Sequence, residues 1–548
     1  MKNNNSASSN SDRNNSTDKG SLKYAVYDIA TVKQLKKEYK ESTKSYVPEK
    51  TILDEFISRY NIVGFDESQS RYIDSLQSYL NHLRPDLKLL IEYPYTDKLY
   101  RDAYYSYYST LNRTINKNCI RISIYDYDLT LDDFTKKESR EKIQEENVYL
   151  GFFVLRPTDR KRVGRSFINP KALIYPNCII TKLKSSSLIK GVSLTTEGFP
   201  HSAQDGKVHT CSETSIWSLM EYFGGKYSYY RQVLPSTILS VLKKVSYERQ
   251  VPSKGLSPRQ IGYTLRKFGF GSKYYSINKF KNKLPYIIND YVESGIPVLT
   301  IVRRESNNDF HAVLMIGHEK LDSNKIDYCN KPYEISINHK YKEAKISVSD
   351  SLDITTKKFI VIDDNQPPYQ KSTLDKPCSY SKKMNDAKIH GCIVPLYPKI
   401  YLDIVRARQL VYELLENEIY GYRQGPDKII LRLFLTSSRS FKREIMNDEA
   451  LPESYREAIV DYIMPKFIYV AEISSSELYK QNKGLGYIVL DSTSTSSDNF
   501  DNIVLFALYT DRLILRINDN SLPFVIKPKV DTIKEKLKSF NLYENNLK

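Results

Sequence analysis

Between residues 211 and 398 the hydrophobic pattern changes period once, and this change constrains the fold more than any other feature of the chain. Up to about residue 295, apolar residues recur at three- and four-residue spacing, as in helices packed on one face. "HTCSETSIWSLMEYFGG" carries Ile216, Leu219, Met220 and Phe223 at that spacing and runs into Gly224 and Gly225 as its stop. A second helix opens at Ser236. "LSPRQIGYTLRKFGFG" gives a third, with Ser257 as N-cap, Pro258 in the first helical position and Gly269 as the stop. "LPYIINDYVESG" gives a fourth, ending at Gly295. Strand-like runs then take over: "IPVLTIV" (296–302), "HAVLMIG" (311–317), "KKFIVID" (357–363) and "CIVPLYP" (392–398). Helices followed by an antiparallel set of strands predict an α+β unit over 201–400. The polar stretch at about 319–356 reads as an inserted loop or hairpin.

The flanks are also patterned. Residues 1–20 are rich in Asn and Ser, have no apolar core and read as a disordered tail. Residues 21–200 form an N-terminal α+β region. It is mostly helical to about 115 ("LDEFISRY", "RYIDSLQSYLNHL"), then has strands at "RISIY" and "YLGFFVLRP" and short strands that include "ALIYP" and "CIITKL". "DDFTKKESREKIQEEN" is charged throughout and reads as an exposed helix or loop. From 401 to 548 a further α+β unit is expected. It has a helix in "YLDIVRARQLVYELLENEIYG" and strands in "IILRLFL", "KFIYVAEI", "GYIVLD" and "NIVLFALY".

Composition narrows the classes. The chain has 548 residues and a net charge of +17. Its basic residues form no single block, and 65 Asp and Glu are interspersed among them. Lys, Asn, Ile and Tyr are abundant throughout, which a general compositional bias explains. Nucleic acid is therefore not the expected partner, although the charge leaves it open. No stretch approaches the ~18 apolar residues of a membrane span, so no membrane partner is expected. The six cysteines are scattered and form no CxxC pair, which speaks against a metal cage or a disulfide framework. A reduced, cytoplasmic protein is the expectation.

One of these cysteines stands out. Thr210 and Glu213 form a T-x-x-E capping box, which makes Cys211 the first residue of its helix. At that position the free backbone N–H groups and the helix dipole favour a thiolate and can hold an oxyanion. A small buried hydrophobe is the ordinary alternative. A nucleophilic cysteine needs a base, and the base needs an orienting group. His311 opens the strand "HAVLMIG". His318 ends the same strand, and period-two alternation points it to the opposite face. His209 is close enough in sequence to serve local packing or a cleft wall. "FIVIDDNQPPY" places Phe359, Val361 and Asp363 on one strand face, with Asp363 at the end and Asp364 and Asn365 in the turn.

The set "C-x-x-x-S-x-W-x-L-M-x-Y-x-G" from Cys211, "GIPVL" at 295–299, "HAVLMIG" from His311 and "IVID" ending at Asp363 resembles the papain-like cysteine peptidases. The nearest branch is the bacteriocin-processing, double-glycine type. The resemblance covers about 200–400. It implies a papain-like core, with a helix bundle carrying the cysteine packed on an antiparallel sheet. It further implies Cys211 as nucleophile, His311 as general base, Asp363 as orienter (Asp364 as the alternative) and Gln204 as an oxyanion-hole residue. Gln204 lies seven residues before the cysteine where the family usually has six. Ser212 stands where a glycine usually follows it, and the span from His311 to Asp363 is long. Leader-peptide export is not implied, because that branch is attached to membrane transporters and no transporter is expected in this chain. The expected protein is a cytoplasmic, bacterial-type hydrolase that opens a peptide, isopeptide or other amide bond through a thioester. It needs no metal or organic cofactor, and acyl transfer is left open. The flanks would frame the cleft and select a peptide or protein substrate.

Two rivals remain. A papain-like fold can serve as a catalytically silent binding or regulatory module for nucleic acid or an acidic partner. Separately, "ISIYDYDLTL" places Asp126-x-Asp128 after a strand, similar to the first motif of haloacid-dehalogenase-like phosphohydrolases. In that reading Asp126 would attack phosphorus and Asp128 would handle the leaving-group proton beside magnesium.

Overall fold

A computed structural model describes residues 21–29, 52–62, 64–65, 70–158, 163–208, 210–245, 255–320, 333–339, 342–349, 356–423, 425–495, 497–498, 500–516, 523–526, 539–543 and 545–547. The expected N-terminal tail lies outside these residues. The chain is mixed α+β, built on three large sheets that are antiparallel almost throughout.

The first sheet has six strands in the order Lys23–Asp28, Lys88–Tyr95, Cys119–Tyr125, Tyr149–Leu155, Val163–Ile168 and His201–Ser202. The strand Lys88–Tyr95 lies where helix was expected. Its "LLIEY" run is too short to show a helical period and is buried between two neighbours. "ALIYP" forms no strand; it begins at the end of a short 3-10 turn, Pro170–Ala172, with Pro170 in the first position, and Leu173 makes an isolated antiparallel bridge to Leu83. The charged segment 131–146 holds a 3-10 turn, Leu131–Phe134, and a short helix, Lys137–Ile143.

The middle sheet runs Lys273–Ser276, Ala387–Val394, Val298–Arg304, Phe310–Glu319, Phe359–Ile362, Gln370–Ser372. Cys178–Ile180 also pairs with Phe310–Glu319, so the N-terminal region contributes directly to this sheet. The helices Cys211–Lys226, Pro235–Leu242 and Pro258–Lys267 pack on one another, and the first also packs on the strand Phe310–Glu319. Ser257 caps its helix in a complete capping box with Gln260.

The third sheet holds Lys428–Ser437, Phe467–Ser474, Gly486–Asp491 and Val504–Tyr509 at its centre. The expected insertion is partly a hairpin, Tyr333–His339 with Lys342–Ser349. The second of these strands joins the third sheet by a parallel pairing with Lys428–Ser437.

Two cores run across the expected boundaries near 200 and 400. Phe152, Leu155 and Phe199 share one core with Ile216, Trp217, Leu265 and Leu314. Ile288, Val292, Val313 and Met315 share another with Leu410, Leu414, Leu431 and Ile488. No helix among the described residues is long and apolar enough to cross a membrane.

Candidate active site

Cys211 is the first residue of its helix and is partly exposed. Thr210 has the extended backbone of an N-cap, and its carbonyl accepts from Thr214 N at 3.0 Å. The expected capping box is not made in full. The Thr210 hydroxyl donates to the Glu213 carboxylate instead of accepting from the first-turn backbone. The apolar stripe is also wider than expected, since every residue from Ser212 to Phe223 is buried. Gly224 and Gly225 do not stop the helix, which continues to Lys226. They allow close packing. A Cβ on Gly224 would meet Gln232 N at 2.4 Å, and one on Gly225 would meet the Leu183 side chain at 2.8 Å.

His311 sits at the start of its strand, opposite Val302, and is buried. Its Nε2 lies 2.9 Å from Asp363 Oδ1 and so donates to that carboxylate. This leaves Nδ1 free of Asp363; the Cys211 thiol lies near the ring, and its Sγ is 3.9 Å from Ser212 Oγ. Burial pushes the imidazole toward its neutral form. The Asp363 charge, its hydrogen bond and the thiol push harder the other way, and His311 holds its proton well above the usual histidine range.

Asp363 follows the strand Phe359–Ile362 and is almost fully buried. Asn365 N donates to Oδ1 at 2.8 Å and the Tyr380 hydroxyl to Oδ2 at 3.0 Å. Burial alone would raise its pKa; the His311 ring and these donors bring it down to about 2. The main chain is held as well. His201 Nε2 donates to the Asp363 carbonyl at 3.1 Å. The hydroxyls of Tyr79 and Ser166 lie 3.1 and 2.9 Å from His201 Nδ1, which fixes that tautomer. Burial lowers the His201 pKa to about 4, so the ring stays neutral.

Asp364 is more distant, with Oδ1 at 3.8 Å from His311 Nε2. Gln204 reaches the same cluster. Its backbone N donates to the Asp364 carbonyl at 3.2 Å, and its Nε2 donates to Asn365 Oδ1 at 2.7 Å. The structure thus brings Cys211, His311, Asp363, Asp364 and Gln204 together. Sequence reading missed the roles of Tyr380 and His201 and left Asn365 as a turn residue. Tyr380 lies in a non-periodic loop and His201 in a two-residue strand, so neither carries a pattern signal.

Other expectations separate from this cluster. His318 Nε2 meets Glu293 Oε1 at 3.2 Å. An irregularity between Met315 and Gly317 shifts the ladder, so counting by twos no longer assigns its face relative to His311. His209 lies outside the described residues. Asp126 pairs with Arg84 at 2.5 Å, and Asp128, 90% exposed, with Lys88 at 2.9 Å. The two carboxylates are held by separate cations and do not converge.

His311, Asp363 and Asp364 bring potential metal-ligating atoms within 4.8 Å of one another. Both Asp363 oxygens already accept hydrogen bonds from His311, Asn365 and Tyr380, which fits an orienting carboxylate better than a ligand. A scan against models of known protein families matches none, and a search of curated proteins finds no match.

Proposed function

We propose that this chain is a cysteine-dependent hydrolase of papain-like type acting on a peptide, isopeptide or other amide bond in a peptide or protein substrate. The observation that carries this reading is the His311–Asp363 hydrogen bond at 2.9 Å beside a cysteine thiol at a helix start. The helices packed against the His311 strand are in keeping with a papain-like core.

In the proposed reaction Cys211 and His311 act as a thiolate–imidazolium pair, and Sγ bonds to the carbonyl carbon. The resulting oxyanion is stabilised by the first-turn backbone N–H of Cys211 and by the N–H of Gln204 Nε2 that Asn365 does not take. The C–N bond breaks as His311 gives its proton to the leaving amine, giving a thioester. His311 then takes a proton from water as the water oxygen bonds to the thioester carbon; the C–S bond breaks, the acyl group leaves as a carboxylic acid, and the Cys211 thiolate is restored beside the protonated His311. Another nucleophile in place of water would make the same intermediate a transferase intermediate. Asp363 holds the ring in the tautomer this sequence requires and stabilises the imidazolium.

The test needs no knowledge of the natural substrate. An activated p-nitrophenyl ester should release a burst of nitrophenolate of about one equivalent, with the acyl group on Cys211 by mass spectrometry. Cys211→Ala should abolish the burst. Release that is linear from the start and equal in Cys211→Ala would refute the reading.

A further inference from the structure

A cavity of about 730 Å³ opens where the three sheets meet, away from Cys211. Its floor is a buried charged cluster. Glu293 receives the Lys357 ammonium, His318 at 3.2 Å and Arg432 Nε at 3.1 Å. Arg432 Nη1 also bonds Glu472 at 3.0 Å and the Tyr543 carbonyl at 2.9 Å. This fixes the guanidinium and leaves Nη2 without a hydrogen bond among the described residues. Lys171, Lys182, Lys320 and Lys480 come to the rim from four separate segments. Lys182 is shared with Glu197 at 3.0 Å. Lys171, Lys320 and Lys480 have no acidic partner among the described residues. Glu293 is the only acidic side chain in the lining among the described residues, and the cations of the floor already neutralise it. Ile179, Leu542 and the Tyr479 ring supply apolar and aromatic wall.

Cations without partners around one concave space repel one another, and this cost is relieved when an anion enters. The volume is in the usual range for small-molecule sites, roughly 300–1,000 Å³. We propose that this cavity binds a phosphorylated small molecule of nucleotide size. Its phosphates meet the lysine rim and Arg432 Nη2, and its uncharged part lies against Ile179, Leu542 and Tyr479. The site does not rest on the chemistry assigned to Cys211.

The test is calorimetric titration of the full chain with ATP, AMP and pyrophosphate. ATP should bind saturably with a Kd of about 1 mM or below, more tightly than AMP, with affinity falling as salt rises. Pyrophosphate should bind more weakly than ATP, having no part to place on the apolar wall. Lys171→Glu/Lys480→Glu, both surface changes, should weaken ATP by about tenfold or more, with the melting temperature of the free protein unchanged. Cys211→Ala should bind ATP like the parent, so failure of the hydrolase reading would leave this result standing. Three outcomes would overturn the proposal: no saturable binding of any of the three probes, ATP binding indifferent to the double variant, or a single-stranded oligonucleotide that binds more tightly than ATP and is lost in the same variant.

Discussion

At the scale of the residue, the candidate site is a cysteine, a histidine and an aspartate whose types and order were legible in the sequence. What holds them in place was not. Tyr380 and His201 reach Asp363 from a loop and from another sheet, and such contacts leave no periodic trace. Replacing Tyr380 by Phe removes one donor to the Asp363 carboxylate while the ring remains. The acylation burst should slow roughly fivefold, about 1 kcal/mol, with the circular dichroism spectrum unchanged. An unchanged burst rate would show that the phenol does not position Asp363. His201 makes a separate prediction about stability. Burial lowers its pKa from 6.5 to about 4, so the folded state binds its proton less readily than the unfolded state. Its contribution is complete above pH 6.5 and is lost as pH falls toward about 4. Two and a half units correspond to about 3 kcal/mol. Urea unfolding at pH 7 and near pH 4.5 should therefore show a smaller acid loss for His201→Gln than for the parent. Parallel losses would contradict the assignment.

At the scale of the element, apolar period located the longer helices and strands around the site, misread some of their limits and missed short ones such as Lys273–Ser276 and Gln370–Ser372. The Cys211 helix is the clearest case. Its apolar stripe marked a helix, yet the whole central section is enclosed, because Glu221 is paired with Lys98 at 2.8 Å and the small residues are buried too. Gly224 and Gly225 look like a stop signal, but they serve close approach. Gly224→Ala should destabilise by about 2 kcal/mol despite alanine's better helix propensity, because the new Cβ meets the backbone of Arg231 and Gln232. Gly225→Ala should cost less, since it meets only the ends of the Leu183 side chain. Thermal melts of the two variants decide this; equal melting temperatures would show that the segment 231–232 yields freely.

At the scale of the whole molecule, the sequence shows three α+β regions, and the structure shows how closely they are joined. The helix Leu284–Glu293 lies under the third sheet. Asp290 takes a two-pronged bond from Arg408 at 3.0 and 2.6 Å, and Leu435 N donates to Ser294 Oγ at 2.8 Å. Contacts between residues more than a hundred positions apart cannot be read from local pattern, which is why 401–548 read as a separate α+β unit. Residues 201–400 expressed alone would expose Ile288, Val292, Val313 and Met315. That fragment should lack a cooperative thermal transition. A cooperative melt like that of the full chain would contradict the shared core.

The central claim is that His311 activates the Cys211 thiol, and selective alkylation tests it most directly. Burial pushes the thiols of Cys178 and Cys378 up to about 11 and those of Cys119 and Cys392 well above their ordinary value, so all four are un-ionised in mild acid. Iodoacetamide at about pH 6 should label Cys211 first and fastest, and His311→Ala should slow that labelling by about tenfold or more. Labelling of Cys211 no faster than in the unfolded chain, or indifferent to His311→Ala, would contradict the claim.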